Sequence, residues 1–214
     1  MLTSRDVSSL VVDRLCDEAA GENTAITRFY FDFATRKEQS VTSMLGSLLK
    51  QIVGGLETIP EEILRTFRGQ KMAIGGRGPL TSDIVKMLQA ITSSLRTFVC
   101  IDALDECAAV YRAKLLNSLS QILEKSPGTR VFITGRPHIQ AEVERHLAER
   151  TTSVSVGPRK DDIIRYLGFK LDEDETPDAM DESLEADILE EIPQEMSEMY
   201  VGVMILRILP RIIH

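Results

Sequence analysis

Residues 98–107 have the sequence FVCIDALDEC, and this decapeptide decides the fold. Apolar or nearly apolar residues lead directly to Asp102, and a pair of acidic residues, Asp105 and Glu106, follows three residues later. The pattern predicts a buried strand that ends in carboxylates, which is where an α/β protein holds Mg²⁺ against a nucleotide. Asp102 is therefore the candidate metal ligand, and Asp105 and Glu106 are the candidate catalytic residues, which would orient or deprotonate an attacking water. The alternative is structural: Asp102 caps a turn, and the acidic pair begins the next helix, where acids favour the dipole.

A second apolar strand lies at the start of RVFITGRP, residues 130–137. One predicted helix, 112–125, separates it from the first strand, so the two strands should lie in one parallel sheet. Their carboxyl ends would then meet at one edge, and Arg136 would face the same crevice as Asp102. Because a guanidinium pairs well with a terminal phosphate, Arg136 and the neighbouring Thr134 are the candidate cofactor-binding residues. The alternative for the arginine is an exposed loop position.

Helical and strand patterns alternate along the rest of the chain. The predicted order is α, β, α, α, α, β, α, β, α, β, α, which favours a parallel sheet with helices on both faces. The fold class is therefore α/β. The predicted strands are 25–33, 97–102, 130–134 and 152–156.

The net charge of −8 comes from one segment of the chain. Residues 171–198 hold 13 acidic and no basic residues, and the remainder carries 25 basic against 20 acidic residues. No basic stripe is interleaved with aromatic residues, so we expect no nucleic-acid partner. Within it, residues 172–182 predict a solvated, acidic linker rather than a calcium loop, because they lack the glycine that such a loop needs and Pro177 disturbs the spacing.

Other features of the sequence argue against a membrane-spanning or secreted protein. No uncharged apolar run reaches 18 residues, so no transmembrane span is expected. Arg5 and Asp6 stand where a signal peptide would need an apolar core. The three cysteines, Cys16, Cys100 and Cys107, have no metal-ligand spacing and are expected to stay reduced. We therefore expect a cytoplasmic protein.

Together, FVCIDALDEC and RVFITGRPHI resemble the NACHT class of STAND P-loop NTPases, most closely fungal NACHT proteins with a nephrocystin-3-like N-terminal module. Asp102, Asp105 and Glu106 match the Walker B pattern of that class, and Arg136 matches its sensor 1 position. ITRFYFDFATRKEQSVTSMLGSLLKQIV and KDDIIRYLGFKLDED are also similar to segments of the family, so the resemblance covers roughly residues 1–195.

The resemblance implies a three-layer P-loop NTPase-like fold, Mg-ATP as cofactor and an ATP-dependent oligomerisation switch that serves signal transduction. In that family the module usually stands between an effector domain and C-terminal repeats. The implied partners are therefore NACHT relatives, further copies of the chain, and effector or repeat domains.

The phosphate loop of that family, G-x-x-x-x-G-K-[ST], has no counterpart here, because the sequence contains no Gly-Lys pair. Its lysine and its backbone N–H groups would bind the phosphates. The first 20 residues instead resemble the helix that follows the loop. We therefore expect the first, central strand of the family's sheet to be missing between the sensor strand and TSVSV, residues 152–156. That last strand would then have no neighbour or an irregular pairing, and a sheet edge would be exposed.

Three segments are predicted. Residues 1–158 form the NTPase-like core without its phosphate loop, 159–195 a helical extension with the acidic linker, and 196–214 an apolar, basic tail. For the tail, the alternatives are an interfacial segment and a linker or incomplete winged-helix region.

The leading interpretation is a truncated NACHT signalling module that is inactive alone and does not bind ATP appreciably. The alternative is a catalytically dead interaction module that modulates intact NACHT relatives. A third is an unrelated α/β domain whose carboxylates are structural.

Overall fold

The alternation of helices and strands predicted from the sequence is present in the computed structural model, which describes residues 4–19, 23–32, 39–71, 78–147, 151–156, 159–173, 182–198 and 202–207. All four predicted strands form, with boundaries that differ by at most three residues. The elements are α1 (Ser4–Glu18), β1 (Thr24–Tyr30), α2 (Val41–Gly54), α3 (Glu61–Lys71), α4 (Thr81–Thr92), β2 (Arg96–Asp102), α5 (Ala109–Lys125), β3 (Thr129–Gly135), α6 (Gln140–Leu147), β4 (Thr151–Val156), α7 (Lys160–Asp172), α8 (Glu182–Glu198) and β5 (Gly202–Arg207), with short 3₁₀ turns at Leu104–Glu106 and Pro137–Ile139.

The sheet has the strand order β1-β2-β3-β5-β4. β1, β2 and β3 are parallel neighbours, and Cys100 of β2 pairs with Arg28 on one side and Phe132 on the other. β5 is antiparallel to both β3 and β4, so the sheet is mixed, which corrects the prediction of a parallel sheet. β4 runs in the same direction as the first three strands. The carboxyl ends of β1, β2 and β3 therefore meet at one edge of the sheet, as the sequence predicts.

β5 corrects two expectations about the C-terminal part of the chain. Residues 202–207 lie in the predicted tail, for which no strand was foreseen, and they pair with β3 and β4 in a regular ladder. β4 therefore has a regular antiparallel neighbour. The expectation that β4 would have no neighbour or an irregular pairing is wrong. GVMILR is a short run of mostly apolar residues, which suits a strand with neighbours on both sides. Its position between β3 and β4 is the one that the resemblance assigns to the central strand.

Side chains of the parallel strands alternate between two apolar layers, because successive residues of a strand point to opposite faces. Val99, Ile101 and their counterparts on β3 pack with α2, α4, α5 and α6 in the larger core. Cys100 and Phe132 pack on the other face against Val12 of α1. The three-layer arrangement, with helices on both faces, is thus confirmed for the described part of the sheet.

The sequence predicts a helix over residues 1–19 with apolar residues at helical spacing: Val7, Leu10, Val11 and Leu15. This apolar face needs one correction. Val11 and Leu15 pack against the sheet as predicted, together with the buried Val12. Leu10, also assigned to that face, is 67% exposed. The face that contacts the sheet is therefore rotated toward Ser8, Val12 and Leu15, which follow helical spacing. None of the described helices is long and apolar enough to cross a membrane.

The three cysteines differ in exposure, and this leads to a test by thiol titration. Cys16 is exposed, whereas Cys100 and Cys107 are buried. Burial, with Cys16 nearby as a smaller cause, raises the pKa of the Cys100 thiol to about 12, so at pH 9 roughly one molecule in a thousand carries its thiolate. We expect a thiol reagent to label one cysteine rapidly between pH 8 and 9, and the other two only at the rate of unfolding.

Cys16→Ser is the matched control and should remove the rapid phase. A rapid second thiol in native protein of this variant would contradict the burial of Cys100 and Cys107.

Candidate functional site

Asp102 ends β2 at the carboxyl edge of the sheet and is 1% exposed. It lies two positions after Cys100 on the strand, so it points toward the α1 face of the sheet. By the register that pairs Cys100 with Phe132, the neighbouring position on β3 belongs to Thr134. The Thr134 hydroxyl donates to Asp102 Oδ1 at 2.5 Å, and the Ser8 hydroxyl from α1 donates to the same oxygen at 2.6 Å. The carboxylate is thereby fixed by two buried hydroxyl groups from two different elements.

The turn after Asp102 has an unusual backbone conformation. Ala103 is left-handed, with φ 53° and ψ 46°, a conformation that costs an alanine about 1–2 kcal/mol. Its N–H donates to Thr134 Oγ1 at 3.1 Å, and the next residue, Leu104, is fully buried. These contacts hold the turn, and the 3₁₀ turn that follows presents Asp105 and Glu106 at the same edge as Asp102.

Asp105, Glu106 and Arg136 form a second cluster. The Arg136 backbone N–H donates to Asp105 Oδ1 at 3.2 Å, and its guanidinium lies 3.4 Å from Asp105 Oδ2 and 3.9 Å from Glu106 Oε1. The Asp105 side chain is nearly buried, whereas the Arg136 side chain is 67% exposed. Because the guanidinium is mostly exposed and the Arg136 N–H stays on Asp105, moving the guanidinium away costs less than breaking a pair that is buried on both sides.

Gly135 allows the end of β3 to lie against Asp105. A Cβ atom at this position would be 2.6 Å from Ile139 Cδ1 and 3.3 Å from Asp105 Oδ1, closer than such atoms normally approach. The glycine is therefore required for this packing, and it brings the Arg136 N–H within reach of the carboxylate.

Arg112 of α5 stabilises the chain directly after the acidic 3₁₀ turn. Its Nε lies 2.7 Å from Glu142 Oε2 of α6, and its Nη1 donates to the Cys107 carbonyl oxygen at 3.1 Å. Both side chains of the pair are largely buried, at 11% and 24% exposure. The guanidinium thus connects α5, α6 and the residue that directly follows the 3₁₀ turn.

The five residues predicted for the site fall into these two clusters at the carboxyl edge. Asp102 lies with Thr134, and Asp105 and Glu106 lie with Arg136; their roles stay predictions. The structural alternative for the acidic pair is wrong in its detail, because α5 begins only at Ala109 and the pair lies in the 3₁₀ turn before it.

Ser8 was missed. Its spacing to Val12 and Leu15 was the available signal, since it places the hydroxyl on the buried face of α1.

The donor set at Asp102 fits a magnesium ion better than it fits a polyphosphate. Mg²⁺ prefers one or two carboxylates together with waters and phosphate oxygens, and one fixed carboxylate with neighbouring hydroxyls offers oxygen ligands of that kind. In the described part of the chain, no group of three or more His, Cys, Asp or Glu residues is arranged to hold a metal. For the phosphates, the Arg136 guanidinium is at hand, but the sequence supplies no Gly-Lys loop.

These features define a class: a three-layer α/β protein with carboxylates and an arginine where neighbouring parallel strands end. The family model described as "Nephrocystin 3, N-terminal" matches residues 7–136, more than half of the chain. The chain therefore belongs to the nephrocystin 3 N-terminal family. The match runs from α1 to the end of β3, so it includes Ser8 and all five predicted site residues. No curated protein and no solved structure gave a significant match.

Proposed function

We propose that the chain is a nucleotide-binding signalling module of the NACHT type, whose full-length relatives work as ATP-dependent oligomerisation switches in the cytoplasm. The observation that carries the proposal is the pairing of two clusters at one sheet edge, inside the region that the family model matches. One cluster holds the fixed, buried carboxylate of Asp102. The other holds Arg136, whose exposed guanidinium can move away from the two carboxylates beside it. Both are groups that phosphoryl-transfer sites use.

Each residue has a proposed role. Asp102 is the metal ligand, and the Ser8 and Thr134 hydroxyls keep its carboxylate in one orientation. Arg136 leaves its two ion pairs to contact the terminal phosphate, which its exposure permits. Asp105 and Glu106 then face the attacking water. Mg²⁺, when bound, would neutralise part of the phosphate charge.

On its own, this chain is proposed to bind Mg-ATP weakly or not at all and not to hydrolyse it. The sequence has no Gly-Lys loop that would bind the phosphates. ATP would therefore approach three carboxylates with few hydrogen-bond donors to offset the electrostatic repulsion. A loop supplied in front of α1 would add those donors, because Ser8 places the N-terminal half of α1 at Asp102.

The test compares Mg-ATP binding by calorimetry in the chain and in a fusion in which a strand and a G-x-x-x-x-G-K-T loop precede Ser4. The fusion lacks β5, because the added strand needs the position that β5 occupies between β3 and β4. We expect dissociation constants weaker than about 1 mM for the chain and in the micromolar range for the fusion. In the fusion, Asp102→Ala and Arg136→Ala should each weaken binding about 10-fold or more, whereas Arg145→Ala, an exposed control on α6, should not.

Two results would count against the proposal in different ways. Micromolar binding by the chain alone would show that it is not inactive. A folded fusion that binds no nucleotide, or binds equally well without Asp102, would remove the nucleotide site itself.

A second candidate function is a catalytically dead interaction module that associates with NACHT relatives. The observation that favours it lies on α7 and α8, which pack against each other and expose large apolar side chains: Tyr166, Phe169 and Leu184. Several large apolar side chains exposed on one pair of helices are typical of a contact site for another protein.

A further inference from the structure

An apolar groove lies outside the carboxyl edge, between α2 and α3. It has a volume of about 700 Å³, and its walls include Leu49 and Val53 of α2 and Ile63, Leu64 and Phe67 of α3. Phe67 is 52% exposed although it is a large aromatic residue. A groove between two helices with an exposed aromatic side chain has the shape into which a third helix packs.

The charges around this groove are mainly basic. Lys50 of α2 and Arg68 of α3 both line it, and both side chains are exposed. Arg68 also lies 3.8 Å from Glu61, but this pair is exposed on both sides and is easily given up. An occupant with apolar side chains among acidic ones would therefore fit this groove.

The chain itself carries such a surface on α7 and α8. α8 has seven acidic and no basic residues, and Glu185 and Asp187 near its start are exposed. Leu184, beside them, is 45% exposed, and Phe169 in the last turns of α7 is 57% exposed. Lys170 lies over the Phe169 ring, so the surface that combines an apolar group with negative charge is the start of α8, where Leu184 stands beside Glu185 and Asp187. This part of α8 complements the groove in both respects.

We propose that the start of α8, with Leu184, Glu185 and Asp187, docks into the α2–α3 groove of a second copy of this chain. Leu184 packs against Phe67, and Glu185 and Asp187 face Lys50 and Arg68. The two surfaces are different, so the contact is head-to-tail, and each copy keeps one free groove and one free α8. The assembly therefore grows beyond a dimer unless it closes into a ring.

This inference does not depend on nucleotide binding, because neither surface includes Asp102 or Arg136. The experiment is accordingly run without nucleotide, and its failure leaves the nucleotide proposal untouched.

Sedimentation velocity over a range of protein concentrations tests the proposal. We expect concentration-dependent association with a dissociation constant below about 100 μM, weakened by raising the salt concentration. Lys50→Glu with Arg68→Glu, and separately Glu185→Lys with Asp187→Lys, should each weaken association about 10-fold or more. Lys86→Glu with Lys114→Glu, a matched reversal of exposed lysines on α4 and α5, should leave it unchanged.

The decisive arm mixes the two reversed variants. Each variant alone should associate about 10-fold more weakly than the parent chain, and their equimolar mixture should recover the association, because every contact between the two different variants joins opposite charges. A chain that stays monomeric at about 200 μM would overturn the proposal. So would a mixture that fails to associate, or association that survives both reversals. All substituted side chains are exposed, so circular dichroism should show an unchanged fold in every variant.

Discussion

Replacing Asp102 with alanine should lower the free energy of unfolding by about 2–3 kcal/mol, one of the largest effects expected of a single polar substitution here. The carboxylate is buried and accepts hydrogen bonds from Ser8 and Thr134, which are buried as well. Alanine would remove the shared acceptor and leave two hydroxyls in a space too small for full hydration. The cost of leaving such groups without this acceptor exceeds the relief of burying one charge less. Urea unfolding, followed by circular dichroism, measures the difference.

Two control variants separate the hydrogen bonds from the charge. Asp102→Asn keeps an acceptor of the same shape without the charge, and we expect it to lose less than half as much stability as Asp102→Ala. Ser8→Ala removes only one donor and should cost about 1 kcal/mol. An alanine variant as stable as the parent chain would contradict this account. The carboxylate would then be a net cost to the fold, as is found where a residue serves a ligand.

Most of the sheet was predictable because its strands are local patterns. β2 and β3 are apolar runs with a helix between them, and right-handed crossovers leave few arrangements for such a sequence. β5 was not predictable on the same grounds. A short apolar run does not by itself distinguish a strand from other buried segments. Its place between β3 and β4 depends on pairing with residues 46 to 74 positions away, which no local pattern records.

The site was predicted at the level of its edge and not at the level of its contacts. Asp102 and Thr134 meet because the register of β2 and β3 makes them neighbours. Arg136 contacts the acidic turn because β2 and β3 end at the same edge of the sheet. Ser8 was missed because a serine on a helix carries no sign of its partner. The left-handed Ala103 was equally hidden, since glycine or asparagine would normally mark such a position.

The buried pair of Arg112 and Glu142 should show the second large effect. We expect Arg112→Ala to lower the free energy of unfolding by about 2–4 kcal/mol, because it leaves the Glu142 carboxylate largely buried beside no cation. It also removes the donor to the Cys107 carbonyl and the packing of the long side chain. Arg112→Lys should recover only part of the loss, since one ammonium cannot replace the guanidinium at both Glu142 and Cys107.

Replacing both Arg112 and Glu142 separates the cost of leaving one buried charge unpaired from the net stability that the ion pair provides. Arg112→Met combined with Glu142→Leu buries no unpaired charge, and we expect its stability to lie within about 1 kcal/mol of the parent chain. We then expect a double-mutant cycle from urea unfolding to give a large coupling energy between positions 112 and 142, although the ion pair as a whole adds little net stability. If the double variant is as unstable as Arg112→Ala, the pair is not what matters. The hydrogen bond to Cys107, which holds the chain next to Asp105 and Glu106, would then be the reason for keeping an arginine there.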